Sequence, residues 1–328
     1  MKKLTINYSQ TQVTLTIGHH YIQEHLKNLP LTTRYIIITD QNVDNLYHNL
    51  FDSVPNLIAK FVVESGENSK SFTVYQHLLT EMLKQNVQKS DVILAIGGGV
   101  VTDLAGMIAG TYKRGLPYIS IPTTLLGMVD ASIGGKCAIN VAEYKNQVGM
   151  FYHPLEILID DFWLSTLHES EYQNGMAEII KIACTSDEIF FDKLALHQCS
   201  IFEMIEKAVL LKIALVEQDE RDQNLRQLLN FGHTMGHLIE KESHYQIPHG
   251  QAIAYGMIIE TANHNIRTIL KKVLKSYGLL SQPIPYITNS KELWSDKKIF
   301  NDEITLVVVD SIGHATLEKR KIMEVIHE

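Results

Sequence analysis

Short apolar segments alternate with amphipathic segments through the first half of the chain. Helical spacing of apolar residues lies between several of the apolar segments, as in Ser71–Asn86. The apolar segments are rich in β-branched residues, which is typical of strands buried on both faces. They are RYIIITD (34–40), KFVVES (60–65), DVILAIGGG (91–99), PYISIP (117–122) and LEILID (155–160). This alternation predicts a doubly wound, mostly parallel, Rossmann-like sheet.

The pattern changes after Asp161. Residues 169–276 have mostly helical periodicity, and residues 298–319 predict a small hairpin near the C-terminus. The 328 residues suffice for two domains of ordinary size. We therefore expect an α/β domain over residues 1–167, followed by an all-α domain over residues 168–328 to which the hairpin is added.

Composition narrows the class of protein. The net charge of −8 argues against a nucleic-acid-binding protein, which needs a basic face. Cys137, Cys184 and Cys199 lack the spacing of a disulfide framework or a thiolate zinc site. The N-terminal MKKLTINYSQ has no apolar run of the kind found in signal peptides, and no apolar segment approaches the roughly 18 residues of a transmembrane helix. We expect a cytoplasmic protein with neither nucleic-acid nor membrane partners.

A glycine-rich loop, AIGGGVVTDLAG (95–106), connects a predicted strand to a predicted helix. Such a loop lets backbone N–H groups approach a phosphate. The spacing is not GxGxxG, so a simple tight turn explains this loop equally well. TDQN (39–42) and IPTTLLGMVDASIGGK (121–136) also follow strands, where an open α/β sheet has its ligand crevice. Together the three segments favour a bound dinucleotide.

Polar residues recur at helical spacing in RQLLNFGHTMGHLIE (226–240). Arg226, Asn230, His233 and His237 are separated by steps of four, three and four residues. On one α-helix these side chains would share a face. Apolar neighbours on both sides indicate a buried helix, and buried polar groups need partners. We therefore expect this face to bind a ligand.

Two further residues complete a candidate metal site. His249, in PHG, follows sixteen residues after His233, and Glu178 lies upstream in GMAEIIK. Two imidazoles and one carboxylate can hold zinc while leaving one position open for substrate. Spacing alone does not distinguish His233 from His237 as the ligand. Each histidine taken singly is equally well explained as an ordinary core or surface residue.

Basic residues cluster within or near these motifs. Lys212 lies in the apolar stretch 207–217, where a charged group would need an anionic partner. The full set is Lys136, Lys145, Lys181, Lys212 and Arg226. Together they suggest a small substrate that carries carboxylate and phosphate groups.

The motifs, in this order, resemble the 3-dehydroquinate synthase family of the sugar-phosphate cyclase superfamily. They are GGGVVTD, PTTLLGMVDASIGGK, YKNQVGMF, GMAEIIK, LLNFGHTMGH and HG, and the resemblance covers nearly the whole chain. It implies an NAD-binding α/β domain, a helical metal- and substrate-binding domain, and an active site between them. It also implies NAD and one divalent metal ion per chain, zinc or cobalt.

The activity implied is that of a carbon–oxygen lyase in the second step of the shikimate pathway. Such an enzyme converts 3-deoxy-D-arabino-heptulosonate 7-phosphate, a small anionic sugar phosphate, to 3-dehydroquinate and phosphate. The substrate undergoes transient oxidation by NAD, β-elimination of phosphate, re-reduction and intramolecular aldol closure.

The resemblance also implies roles for individual residues. Glu178, His233 and His249 would be the metal ligands. NAD contacts would come from Asp40, Asn42, Glu67, Lys70, Gly98, Gly99, Val100, Val101, Thr102, Asp103, Thr123, Thr124, Asp130, Lys136, Lys145, Leu164, Ser165 and Thr166. Substrate contacts would come from Arg114, Lys136, Asn146, Lys181, Lys212, Arg226, Asn230, His237 and Lys297. The catalytic group would comprise Asp130, Lys136, Lys181, Asn230 and His237, with His237 as a proton relay. A homodimer is implied, with Arg114 of YKRG reaching the substrate phosphate in the neighbouring subunit.

The chain departs from the family pattern at two places. Cys137 stands where the family commonly has threonine or valine, and we expect little effect because a small residue is retained. Residues 296–309 are shorter than the usual lysine-pair loop, which leaves Lys297 and Lys298 as candidates for one substrate contact. We assign that contact to Lys297.

Three other functions compete with this interpretation. Another sugar-phosphate cyclase, making a cyclitol such as 2-deoxy-scyllo-inosose, would share the metal and NAD motifs, but Arg226 and Lys136 suit a substrate with a carboxylate. A polyol dehydrogenase that uses NAD and a metal would release NADH in proportion to product. A non-catalytic NAD sensor would not need an open metal position beside basic residues.

Overall fold

The computed structural model describes residues 1–142, 144–281, 299–300 and 303–321. The chain divides into two compact units, Met1–Leu167 and His168–Glu328. This division falls where the sequence pattern changes. Within the described ranges, no helix combines the length and the apolar character needed to cross a membrane.

The first unit is an α/β structure. Its α-helices are α1 (Ile22–Lys27), α2 (Gln41–Phe51), α3 (Phe72–Lys84) and α4 (Gly99–Thr111). Its strands are β1 (Lys2–Asn7), β2 (Gln12–Gly18), β3 (Tyr35–Asp40), β4 (Leu57–Val63), β5 (Val92–Gly97), β6 (Tyr118–Pro122), β7 (Lys136–Val141), β8 (Tyr144–Phe151) and β9 (Glu156–Asp160). Shorter helical turns cover Glu67–Ser69, Tyr112–Arg114, Gly127–Ala131 and Asp161–Thr166.

Seven of these strands form one sheet in the order β1-β2-β9-β6-β5-β3-β4. Only the β1–β2 pair is antiparallel, so the mostly parallel sheet predicted from the sequence is confirmed. Consecutive residues Ile36, Ile37 and Ile38 are all 0% exposed, as expected for a strand covered on both faces. The edge strand β4 differs from this prediction, since most of its residues are only partly buried.

Four strands have no counterpart in the predicted set. In β2 the buried Val13, Leu15 and Ile17 alternate with threonines, so its signal has a period of two rather than a continuous apolar run. Strands β7 and β8 form a separate two-stranded sheet, and the residues of β8 are mostly exposed. An exposed strand carries little apolar signal in its sequence.

The second unit is mainly helical, as predicted. Its helices are α5 (Glu169–Ser186), α6 (Glu188–Ala195), α7 (Ile201–Gln218), α8 (His233–Glu242), α9 (His249–Glu260) and α10 (His264–Ser276), with a 3-10 helix at Leu225–Asn230. Its strands are β10 (Ile299–Phe300), β11 (Glu303–Ser311) and β12 (His314–Lys321). These strands form an antiparallel sheet that contains the predicted hairpin. The term all-α is therefore too narrow for this unit, which adds a small sheet to its helices.

A fully buried carboxylate joins two segments of the first unit. Asp160, the last residue of β9, is 0% exposed. It accepts hydrogen bonds from the backbone N–H groups of His20 (2.7 Å), Tyr21 (2.6 Å), Ile22 (2.7 Å) and Phe162 (3.0 Å). These donors offset the loss of hydration of the charge. The turn before α1 is thereby fixed to the turn that follows β9.

The substitution Asp160→Asn tests this anchor. It should lower the free energy of unfolding by about 1–3 kcal/mol, because the asparagine NH₂ group places donors against buried N–H groups. Urea unfolding measures the change. The control is Asp187→Asn, since Asp187 caps α6 through one bond from Phe190 N (2.8 Å) and asparagine caps as well as aspartate. Equal losses in the two variants would contradict the anchoring role.

Candidate active site

Three side chains from three helices of the second unit meet at one point. Glu178 comes from α5, His233 from α8 and His249 from α9. The Oε1 atom of Glu178 lies 3.4 Å from His249 Nε2 and 3.7 Å from His233 Nε2. One ligand atom of each residue lies within 4.8 Å of the other two. The predicted trio of metal ligands is therefore close together in space.

The donor set fits a divalent ion. Glu178 Oε1 is buried, and no hydrogen bond to it is present among the described residues. The other carboxylate oxygen, Oε2, forms a salt bridge with Lys181. Ligand atoms of one tetrahedral zinc ion lie about 3.3–3.5 Å apart, close to the two distances measured here. An ion at this point would satisfy the buried oxygen and use both imidazoles.

Close helix packing brings the two histidines together. Gly232, immediately before α8, has a φ of 75°, which glycine adopts readily. A Cβ atom added at Gly256 of α9 would lie 2.0 Å from the carbonyl oxygen of Gly232. The backbones of α8 and α9 thus touch at a place where any larger residue would separate them, and His233 directly follows this contact.

Side chains from neighbouring helices fix the starts of α8 and α9. Glu260 accepts hydrogen bonds from Gly232 N (2.7 Å) and Met235 N (2.9 Å). Asn174 Oδ1 accepts one from Gly250 N (2.7 Å). The sequence analysis missed both residues. The available signal was that neither helix begins at a residue whose side chain caps it, so the first N–H groups need partners from elsewhere.

A second carboxylate orients His249. The Nδ1 atom of His249 lies 3.4 Å from the Oε1 atom of Glu240. Glu240 is another residue that the sequence analysis missed. A carboxylate at Nδ1 holds a proton there and directs Nε2 toward Glu178. Burial opposes the charge of the imidazole, but its contacts with the carboxylates of Glu178 and Glu240 outweigh this effect and raise the pKa of His249 to about 10.

The expectation that Arg226, Asn230, His233 and His237 share one α-helix is wrong. Arg226 and Asn230 lie on a 3-10 helix, and α8 begins only at His233. The left-handed backbone of Gly232 separates the two elements. His237 is exposed, with its ring centroid 5.2 Å from that of His233. The spacing is helical, but the chain changes direction within it.

Among the described residues of the second unit, three basic side chains are buried. They are Lys181 on α5, Lys212 on α7 and Arg226 on the 3-10 helix. Arg226 Nη1 donates to the carbonyl oxygen of Glu220 (2.7 Å), and its backbone N donates to Asp219 Oδ2 (3.1 Å). Burying a cation is energetically unfavourable unless anions or hydrogen-bond acceptors compensate its charge. The presence of these side chains in one unit is therefore suited to binding anions.

In the first unit, the predicted phosphate loop joins β5 to α4. Gly97 ends β5 and Gly98 immediately precedes α4. The N–H of Thr123 donates to the carbonyl oxygen of Gly97 (2.9 Å), so the loop after β6 lies beside the glycine loop. Asp40 ends the adjacent strand β3 and accepts from Asn42 N (2.9 Å). The three predicted segments therefore gather at the carboxyl ends of neighbouring strands.

A polar network lies near this edge. Lys70 is buried and contacts the carboxylate of Asp103, and its Nζ lies 2.6 Å from Asn146 Oδ1. Burial raises the pKa of the Asp103 carboxyl, although the ammonium of Lys70 opposes the shift. Glu67 accepts a hydrogen bond from Asn140 Nδ2 (2.8 Å). Predicted NAD contacts and the predicted substrate contact Asn146 are thus linked within one unit.

The remaining predicted residues occupy short elements of the first unit. Thr166 Oγ1 lies 2.6 Å from the Tyr47 hydroxyl. Asp130 is in the helical turn Gly127–Ala131, Lys136 begins β7, Lys145 is on β8, and Leu164, Ser165 and Thr166 are in the turn that follows β9. Lys297 and Lys298 lie outside the described residues.

Arg114 is exposed and lies between α4 and β6. It precedes the amino end of β6, whereas the glycine loop follows the carboxyl end of the parallel neighbour β5. Arg114 and the glycine loop are therefore at opposite ends of the parallel strands.

Solved structures with this fold include two sugar-phosphate cyclases. A 2-deoxy-scyllo-inosose synthase complexed with carbaglucose-6-phosphate, NAD+ and Co2+ has a TM-score of 0.87 at 22% identity, covering 99% of this chain and 98% of that chain. A 2-epi-5-epi-valiolone synthase from Streptomyces hygroscopicus subsp. jinggangensis 5008, with NAD+ and Zn2+ bound, has a TM-score of 0.84 at 26% identity, covering 98% and 96%.

Sequence comparison identifies the family. Residues 60–174 match the model for the 3-dehydroquinate synthase N-terminal domain and residues 175–298 the model for its C-terminal domain. A 3-dehydroquinate synthase of Clostridium botulinum (strain Alaska E43 / Type E3) is 35% identical over 98% of this chain and 99% of that protein. One of Dictyoglomus turgidum (strain DSM 6724 / Z-1310) is 35% identical over 100% and 98%. This chain belongs to the 3-dehydroquinate synthase family.

Proposed function

We propose that the chain converts 3-deoxy-D-arabino-heptulosonate 7-phosphate to 3-dehydroquinate and phosphate, as a lyase of the shikimate pathway. The observation that carries the proposal is the group formed by the buried Glu178 and the partly buried His233 and His249. Its unsatisfied carboxylate oxygen and two imidazole nitrogens suit a divalent ion, and buried cations lie in the same unit. The assignment is supported by relatives named 3-dehydroquinate synthase, to which the chain is similar along nearly their whole length.

The three ligands would hold Zn2+ or Co2+, and Lys181 would orient the carboxylate of Glu178 through their salt bridge. When bound, the ion supplies Lewis acidity to the substrate hydroxyls. Glu240 would fix the ring of His249, because a carboxylate behind a ligating imidazole sets its tautomer.

The substrate would be bound mainly through its anionic groups. Lys181, Lys212 and Arg226 would hold its carboxylate and phosphate, since fixed cations stabilise developing charge without reorganisation. Asn230 would orient the substrate, and Asn146 and Lys297 would add further contacts. His237, exposed beside His233, would accept and return a proton at a ring nitrogen.

NAD would be held by the carboxyl edge of the sheet. The N–H groups from Gly98 to Val101, at the start of α4, suit the pyrophosphate, and the loops at Asp40 and Thr123 lie beside them. Asp130, Lys136 and Lys145 would lie near the nicotinamide. When bound, NAD supplies a hydride acceptor that is restored in each cycle. The homodimer and the cytoplasmic location remain predictions.

The central prediction concerns turnover with trace NAD. Supplied with the heptulosonate phosphate, the protein should release phosphate and 3-dehydroquinate in equal amounts, with many turnovers per NAD and no accumulating NADH. Coupled assays for both products and absorbance at the NADH band measure this. NADH formed in proportion to product would instead favour a polyol dehydrogenase.

A second prediction separates metal ligands from the relay. The purified chain should retain about one divalent ion after gel filtration. Glu178→Gln and His233→Ala should lose both the ion and turnover, whereas His237→Ala should keep the ion and lose turnover. Elemental analysis beside steady-state kinetics makes the comparison, and His237 is the matched imidazole control. Loss of the ion from His237→Ala but not from His233→Ala would reverse the assignment.

A third prediction concerns Arg114. Arg114→Ala should lower kcat/KM roughly 10- to 150-fold, as expected for a lost charge-assisted contact of ~1.5–3 kcal/mol. Lys113→Ala is the control, because Lys113 is the neighbouring exposed cation and also has a positive φ, 48° against 63°. Both variants therefore carry the same kind of backbone strain.

Subunit mixing tests whether Arg114 acts on the neighbouring subunit. Arg114→Ala and His237→Ala are each inactive or impaired, but a mixed dimer would contain one doubly altered site and one intact site. At random pairing, about a quarter of all sites should be intact. Persistent inactivity after confirmed subunit exchange would place Arg114 in the site of its own chain or outside the site.

A further inference from the structure

A second group of metal-ligating side chains lies in the first unit. It consists of His19, His20 and Asp161, none of which has a role in the proposed reaction. One ligand atom of each lies within 4.8 Å of the other two. His19 Nδ1 is 2.8 Å from both carboxylate oxygens of Asp161, and the ring centroids of His19 and His20 are 4.3 Å apart.

Hydrogen bonds to a buried carboxylate fix the backbone on both sides of this group. The buried carboxylate of Asp160 binds the N–H of His20 (2.7 Å) on one side and the N–H of Phe162 (3.0 Å) on the other. The turn with the two histidines is therefore tied to the start of the helical turn with Asp161. Ligands held in place before binding lose less conformational freedom when an ion arrives.

The geometry points to a binding site for a divalent ion of the late transition series, with Zn2+ as the representative. Two imidazoles and one carboxylate suit such ions, whereas Mg2+ and Ca2+ prefer oxygen ligands. Three protein ligands leave a fourth zinc position for water.

Binding requires an adjustment at the His19–Asp161 pair. Ligand atoms around tetrahedral zinc lie about 3.3 Å apart, so His19 Nδ1 must withdraw from Asp161 by about 0.5 Å. The His19 side chain is 71% exposed and can rotate without displacing packed neighbours. The ion would then cross-link segments that are 142 positions apart in the chain.

Zinc titration of the full-length, untagged chain tests this site. The parent variant is His233→Ala, which removes a ligand of the proposed catalytic ion. Competition with a chromophoric zinc chelator should show that this parent binds one equivalent of Zn2+ per chain. Excess Mg2+ should not reduce the binding. Zinc should also raise the thermal unfolding midpoint, because an ion that binds the folded state stabilises it.

Adding His19→Ala and His20→Asn should abolish both effects. Asparagine is chosen because His20 has a φ of 51°, which asparagine tolerates. Asp161→Asn should weaken zinc binding about tenfold or more, since even residues behind the ligands change metal affinity by that much. The control pair His48→Ala and His264→Ala removes two exposed histidines elsewhere and should leave both effects unchanged.

Two outcomes would overturn the site. One is that the parent binds no zinc equivalent, which would leave a hydrogen bond between His19 and Asp161 as the role of this pair. The other is equal zinc binding by the His19/His20 variant and the control pair. The zinc lost on introducing His233→Ala into the wild-type chain reports the catalytic site separately, so failure of one assignment is distinguishable from failure of the other.

Discussion

A buried carboxylate in the middle of α5 constrains the second unit. Glu178 is 3% exposed, and every residue from Asn174 to Thr185 is buried around it. A charge in such surroundings is strongly unfavourable unless other groups compensate it. Lys181 compensates one oxygen, and the imidazoles of His233 and His249 lie beside the other. Helices α8 and α9 must therefore bring two rings to one buried point.

This requirement explains why backbone features surround the site. Gly232 and Gly256 allow α8 and α9 to touch, and the contact leaves no space for a Cβ atom. Helix α8 begins at this contact, and its first N–H groups are bound by Glu260 of α9. The start of α9 is bound at a different place, by Asn174 of α5. These contacts set the ring positions of His233 and His249 by fixing the helix starts rather than the rings themselves.

The sequence predicts what is encoded locally. Continuous apolar runs such as Ile36–Ile38 are buried on both faces, and the strand prediction follows from that pattern. The exposure of β4 depends on its place at the sheet edge, which no local pattern specifies. Within the site, the motifs identify Glu178 and the histidines, but the turn at Gly232 and the contacts of Glu240, Glu260 and Asn174 arise between helices. Periodicity within a helix carries no information about them.

The charges around His249 connect the metal site to the anion-binding residues. The carboxylates of Glu178 and Glu240 lie beside its imidazole and raise its pKa to about 10, although burial opposes the shift. Because a metal ion binds only the neutral imidazole, an ion at this point would compete with a proton for His249. Once bound, it would add positive charge to the unit that also contains the buried Lys212 and Arg226, which favours an anionic substrate.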